Sequence, residues 1–275
     1  MHWRKDVQNM RWKLICLDVD GTLLDDRKII LPEVKTTLRK AAEGGVYVAL
    51  ASGRMPAALL PIERELGISC IKACNAGAYI LRGDQCIGEQ YLSTATMMEV
   101  YREIAVVMNT PLWIFRREDW FVTEVDEFVR REEETIWQRA KRAEIQELGK
   151  QWKGENGPSK LLFAASPEKI QAISRYIKKR SWPDISAARS ADNFLEIFPR
   201  HADKGWALGM ICRNLQIDLK DTVAFGDQEL DLPMILAAGT GIAMGNAIPL
   251  LKEKADFVTK SNNEAGVAYA LERYL

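Results

Sequence analysis

The sequence predicts an α/β protein: a doubly wound parallel sheet with a second, α+β domain inserted into it. Three observations carry this expectation. Short apolar runs alternate with helical patterns near the N-terminus, the same rhythm returns after about residue 204, and the stretch between differs in character.

Taken in order, Leu14-Ile15-Cys16-Leu17 reads as a buried strand that runs into the turn Asp18-Val19-Asp20-Gly21-Thr22. Residues 32–43 form a helical pattern that starts on Pro32, suited to a first helical turn, and Gly44-Gly45 stops it. Residues 46–50 read as a second buried strand. A helix follows over 56–66, within which Pro61 predicts a kink or an early break. Residues 69–74 give a third strand. Late in the chain, 204–215, 231–238 and 265–275 read as helices and 222–225 and 241–244 as strands, so the sheet is resumed.

Between lies a stretch, roughly 82–191, that holds Trp113, Trp120, Trp137, Trp152 and Trp182 and the charge run Arg130-Arg131-Glu132-Glu133-Glu134. The charge run reads as a solvated helix face, and Glu155-Asn156-Gly157-Pro158-Ser159 as a turn. The expected division is a core of residues 1–82 and 191–275 and an inserted domain of 83–190, with no internal repeat.

Composition narrows the function. The chain has 275 residues, enough to bury a substantial core, and Lys+Arg and Asp+Glu both number 38, so no bulk charge draws it to nucleic acid or an anionic membrane. No apolar stretch approaches the roughly 20 residues of a membrane span. The start Met1-His2-Trp3-Arg4-Lys5-Asp6 lacks the apolar core of a secretory signal, so a cytoplasmic protein is expected. Cys16, Cys70, Cys74, Cys86 and Cys212 are dispersed without a CxxC pair, which suits reduced thiols. His2 and His201 are the only histidines, which argues against Ser-His-Asp or Cys-His catalysis and a multi-histidine zinc centre.

The chemistry gathers at strand ends. Asp18 and Asp20 start out pointing the same way if the extended backbone continues, and two close carboxylates repel unless a cation lies between them. The pair therefore suggests a hard divalent metal, most plausibly Mg²⁺. An EF-hand counted from Asp18 fails, because Leu23 and Ile29 stand where glycine and glutamate are needed.

In a doubly wound sheet, ligands bind beyond the carboxyl ends of the strands. The other core strands end at Ser52-Gly53-Arg54, Asn75-Ala76-Gly77, Gly226-Asp227-Gln228-Glu229-Leu230-Asp231 and Gly245-Asn246. The Ser52 hydroxyl and the Gly53 amide suit a phosphate oxygen, although a serine there can also be only a helix cap. Lys204, opening a helix, can neutralise a carboxylate and a phosphate. Asp227 and Asp231 can complete a metal site with Asp18, or Asp231 can be an N-cap.

Together these motifs resemble the haloacid dehalogenase superfamily of phosphotransferases, specifically its Cof-type hydrolases, whose large cap is inserted between the second and third motifs. The matching motifs are Asp18 to Thr22, Ser52-Gly53-Arg54, Lys204, and Gly226-Asp227 with Asp231, with further hallmarks at Asn75 to Ala78, Met244 to Ala247 and Asn263 to Ala268. The resemblance implies that Asp18 is the nucleophile, Asp20 the general acid and base, and Asp18, Asp20 (through its carbonyl), Asp227 and Asp231 the Mg²⁺ site. Thr22, Ser52, Gly53 and Lys204 would bind phosphate, and Arg54, Asn75 and Asn246 would lie near the substrate.

It further implies phosphate-monoester hydrolysis of a small phosphorylated metabolite, with the cap choosing the substrate. Trp113, Trp120 and Trp137 are candidates there, although core packing is the plainer fate of each. Leu230 departs from the Cof pattern, which commonly has asparagine at that position. A phosphosugar mutase-like transferase and a turnover-impaired ligand-binding protein are the alternatives. The sequence does not disclose an oligomeric state.

Overall fold

A computed structural model describes residues 12–136, 138–152 and 156–274. Met1 to Asp6, Trp137 and Glu155 lie outside the described residues. The chain divides into two compact units. One comprises the chain up to Ser52, Leu59–Gly88 and everything from Asp203; the other comprises Gly53–Ala58 and Glu89–Ala202.

The first unit is an eight-stranded sheet. Its spatial order is Phe257–Val258, Thr240–Ala243, Thr222–Gly226, Leu14–Asp18, Tyr47–Ala51, Ile71–Cys74, Tyr79–Arg82 and Gln85–Glu89. The first six of these strands run parallel, and Tyr79–Arg82 pairs antiparallel with Ile71–Cys74. Every residue of Leu14–Asp18 and of Thr222–Gly226 is buried, the signature of central parallel strands covered on both faces.

The helices form for reasons already visible in the chain. Pro32–Glu43 begins on its proline and turns Val34, Thr37, Leu38 and Ala41 inward at helical spacing. Lys204–Leu215 is capped by the Asp203 side chain, which accepts from the Trp206 amide at 2.7 Å, and buries Ala207, Leu208, Ile211 and Cys212. The break expected at Pro61 does not occur: Pro56–Leu66 continues through it. An exposed proline in the second turn removes the partner of one carbonyl only, and the buried neighbours Leu59 and Ile62 keep the helix on the core.

The second unit is a six-stranded sheet in the order Ile185–Ala191, Phe194–Pro199, Lys160–Ala164, Leu112–Arg116, Asp119–Val122 and Lys141–Arg142. The sequence expectation gave residues 191–202 to the core; instead Phe194–Pro199 pairs antiparallel with Lys160–Ala164 and with Ile185–Ala191. Strand pairing decides this placement, with one hairpin neighbour and one partner distant in sequence, and local pattern does not reveal it.

Helices Thr94–Val100, Ile145–Gln151 and Pro167–Arg180 supply Met97, Val100, Ile145, Leu148, Ile170 and Ile173 to one cluster of this unit. Trp113, Phe115 and Trp120 form another with Met55, Ala58 and Val129. Trp113 and Trp120 lie ring to ring at 5.0 Å, both fully buried, so packing is their role here. The charge run lies on helix Glu127–Ile136, and only Glu133 turns inward, where it accepts from Arg139 and the Ala140 amide. All five cysteines are free. No helix among the described residues is long and apolar enough to cross a membrane.

Candidate active site

Register lines up the strand ends of the first unit. Asp18 stands opposite Ala51, Ala51 opposite Ala73, Leu17 opposite Phe225, and Gly226 opposite Ala243. The residues that follow these positions therefore emerge in one row at the carboxyl edge, the place where doubly wound sheets bind ligands.

Lys204 is the hub. Its buried ammonium donates to Asp18 Oδ1 at 2.6 Å and to Asp231 Oδ1 at 2.5 Å. The other oxygen of Asp231 accepts from the Asp227 and Gln228 amides, both at 2.9 Å, so Asp231 caps its own turn and binds the ammonium at once. Asp231 does not cap the helix that begins at Leu232, the alternative reading of the sequence: its side chain reaches back to the preceding turn and the ammonium. Asp227 accepts from the Thr22 hydroxyl at 3.0 Å and from the Gln228 side-chain amide at 2.9 Å.

Two glycines permit the assembly. Gly21 has φ +85°, and a Cβ there would lie 2.5 Å from Asp227 Oδ2, so the first loop comes this close to Asp227 only with glycine. Gly77, at φ +99°, lies so near the Asp203 carbonyl that a Cβ would sit 2.4 Å away. With Asn75 and Ala76 also in left-handed backbone, this turn seats the start of the helix that carries Lys204.

Carboxylate oxygens of Asp18, Asp227 and Asp231 all lie within 4.8 Å of one another, and all three residues are buried. Burial, then the Asp231 charge, pushes the Asp18 carboxyl well above the usual carboxylate range. Burial also raises Asp227, against the hydrogen bond from Gln228. Burial works against the Lys204 ammonium, but Asp18 and Asp231 outweigh it and hold its pKa above the ordinary lysine value. One ammonium faces three carboxylates, and this all-oxygen donor set fits a hard divalent cation.

The structure gathers some of the expected residues and redirects others. Asp18, Lys204, Asp227 and Asp231 meet. For Asp20 strand alternation no longer applies: the strand ends at Asp18, and the Leu23 and Leu24 amides fold back onto the Asp18 and Val19 carbonyls. The Asp20 carboxylate pairs with Lys28 Nζ at 2.8 Å.

Ser52 is buried, its amide bound to the Ala73 carbonyl and its carbonyl to the Ala76 amide. Gly53 and Arg54 group with the second unit, where the Gly53 carbonyl accepts from Lys160 at 2.6 Å. Asn246 spends its amide on the Gly21 carbonyl at 2.8 Å and its oxygen on the Asn262 amide at 3.0 Å, and so braces the first loop. Asn75 is fully buried inside its turn.

Sequence reasoning missed Gln228, Lys28 and Asn262. Only Gln228 carried a signal, as a polar residue inside the Gly226 to Asp231 run. Leu230 brings no polar group, and the amide on Asp227 comes from Gln228.

Residues 15–271 match the family model described as haloacid dehalogenase-like hydrolase. The chain is 30% identical over 289 residues to the phosphatase YwpJ of Bacillus subtilis, covering 96% of this chain and all of that protein. It is also 30% identical to the 5-amino-6-(5-phospho-D-ribitylamino)uracil phosphatase YwtE of Bacillus subtilis, with 96% of this chain and 98% of that one covered. Among solved structures it is similar to a haloacid dehalogenase-like hydrolase from Bacteroides thetaiotaomicron, with a TM-score of 0.83, 28% identity, and coverage of 96% and 100%. A protein of Thermotoga maritima, TM0651, gives a TM-score of 0.82 at 27% identity, with 95% and 97% covered. Strand order, the aspartate and lysine cluster and these matches agree: the chain belongs to the haloacid dehalogenase-like hydrolases of the Cof type and is a phosphatase of that family.

Proposed function

We propose that this phosphatase is Mg²⁺-dependent and hydrolyses monoesters of small phosphorylated metabolites through an aspartyl-phosphate on Asp18. The observation that carries the reading is the buried Asp18 at a strand end, 2.6 Å from the Lys204 ammonium and within one carboxylate cluster with Asp227 and Asp231.

In the first half-reaction an Asp18 oxygen attacks phosphorus and the bond to the leaving oxygen breaks. Asp20 gives that oxygen a proton. In the second half a water attacks phosphorus, its proton passes to Asp20, and the Asp18–phosphorus bond breaks. Lys204 keeps Asp18 aimed and offsets its charge while Asp231 holds the ammonium in place; Ser52 and the Gly53 amide are the groups that would hold phosphoryl oxygens. Asp18, Asp227 and Asp231, with the Asp20 carbonyl, would hold Mg²⁺, which when bound offsets the charge of the transferring phosphoryl group. The ribitylaminouracil phosphate named for YwtE supports a phosphorylated polyol or sugar as substrate class.

A phosphate-release screen over sugar phosphates, polyol phosphates, that ribitylaminouracil phosphate and phosphorylated cofactors, with and without Mg²⁺, tests the reading. Turnover of at least one class, lost on chelation, is expected. A flat panel would favour a ligand-binding protein, and transfer between sugars without free phosphate would favour a mutase.

The metal assignment also has a stability readout. A carboxyl whose folded pKa is raised stabilises the fold at low pH, and that contribution is lost as pH rises through the folded value. Without metal, Asp18 and Asp227 should therefore weaken the fold as pH climbs above the ordinary carboxylate range. Mg²⁺ takes ionised carboxylates, so its stabilising effect should grow with pH. At roughly ten times its dissociation constant it should raise Tm by about 3–6 °C at neutral pH, and by less at mildly acidic pH. Thermal melts at both pH values, with Mg²⁺ or with chelator, check this; an equal or absent shift would count against the site.

A further inference from the structure

The loop after the first motif is built with more care than a connecting turn requires. The buried Asp25 carboxylate accepts from the Arg27 and Ile29 amides, each at 2.9 Å, and from Arg27 Nε at 3.0 Å. The Asp25 amide donates to the Ile29 carbonyl, and the Lys28 amide donates to the Asp25 carbonyl. This tight turn holds Lys28 in left-handed backbone, φ +63°, a conformation that a lysine adopts only when its surroundings impose it.

The far side of the loop is clamped. Asn262 Nδ2 donates to the Leu24 carbonyl at 3.0 Å and to Asp26 at 3.1 Å, while Asn263 and Asp26 exchange two hydrogen bonds. Asn262 is tied in turn to Asn246, which holds the Gly21 carbonyl. The circuit thus leaves the first motif, passes through the C-terminal turn, and returns to the motif through Lys28.

What it presents is the Lys28 ammonium, 2.8 Å from Asp20 Oδ1. The Lys28 and Asp20 side chains are 61% and 40% exposed, and an ion pair that open adds little to stability. Stability alone therefore gives no reason to hold a lysine in this backbone.

We propose that Lys28 is a positioning residue for Asp20. It fixes the rotation of the Asp20 carboxylate and so sets where the other oxygen faces when the leaving group needs its proton. This rests on the reading of Asp20 as the group that protonates the leaving oxygen. As the phosphorus–oxygen bond of the ester breaks and the bond to Asp18 forms, that proton moves from Asp20 to the departing oxygen. Lys28 itself gains and loses nothing.

Leaving-group chemistry separates this role from a merely structural one. An alkoxide needs the proton in order to depart, whereas 4-nitrophenolate departs without it. In kcat/KM, which reports the first half-reaction, the Lys28→Met enzyme should lose about tenfold on an alkyl phosphate and less than about threefold on 4-nitrophenyl phosphate. Lys28→Arg, which keeps the cation, should recover most of the alkyl activity. A wild-type enzyme that turns over both esters, with the same ratio in Lys28→Met, would overturn the role of Lys28 and leave the hydrolase reading standing. Parallel losses of kcat/KM on both esters would also overturn it. A wild-type protein inactive on every ester would sink the hydrolase reading, and this inference with it.

Discussion

The Asp18→Asn protein should fold at least as well as its parent and release almost no phosphate. An amide cannot attack phosphorus, so kcat/KM should fall by a factor on the order of 10⁴ or more. The stability half of the expectation comes from the site itself. Asp18 is buried beside Asp231 and Asp227, and its carboxyl is pushed well above its usual range, so an uncharged isostere removes a repulsion. Lys204 retains Asp231 as a partner. Tm without metal should therefore be unchanged or higher, while Mg²⁺ should stabilise the variant less than the parent. Phosphate release together with thermal melts in chelator checks both halves. Turnover within tenfold of the parent would remove Asp18 from the nucleophile's role.

Lys204→Met should do the opposite to stability. It strips the ammonium from between Asp18 and Asp231 and leaves buried carboxylates facing one another. Breaking a buried pair from one side costs about 3–5 kcal/mol, measurable by urea unfolding in chelator. Turnover should be lost as well, since the same ammonium aims Asp18. The double variant Asp18→Asn/Lys204→Met should be more stable than Lys204→Met by about 1–2 kcal/mol, because one of the stranded carboxylates is gone. If the two single effects simply add, the three groups are not coupled through Lys204.

Much of this site was legible from the chain. Asp18, Lys204, Asp227 and Asp231 announced themselves because each follows or opens a regular element whose pattern is local. A buried four-residue apolar run marks the strand before Asp18, and Asp203 marks the helix start at Lys204. The roles written into loops were less legible. Strand alternation does not reach Asp20, because the strand ends two residues before it, at Asp18. The hydrogen bond by which Asn246 braces Gly21 had no local signal in the chain. Lys28 and Asn262 gave no sign, since their partners lie 8 and 238 residues away.

Trp113 and Trp120 show the same division. Their apolar bulk implied burial, and they are buried, but which neighbours cover them is a matter of strand pairing in a six-stranded sheet. Phe194–Pro199 makes the point at the level of a whole element: its local pattern is that of any strand, and its pairing with Ile185–Ala191 and Lys160–Ala164 assigns it to the second unit.

The sequence by itself determined the parallel α/β core, the inserted second unit and the aspartates and lysine that gather at the strand ends. Hydrophobic period, helix caps and strand-ending polar residues are local consequences of backbone geometry. Tertiary structure alone decided that Lys204 bridges Asp18 and Asp231, that Gly21 lets the first loop reach Asp227, and that Lys28 holds Asp20. Those contacts depend on which strands lie side by side and in what register, and register is fixed by packing between residues that the chain keeps far apart.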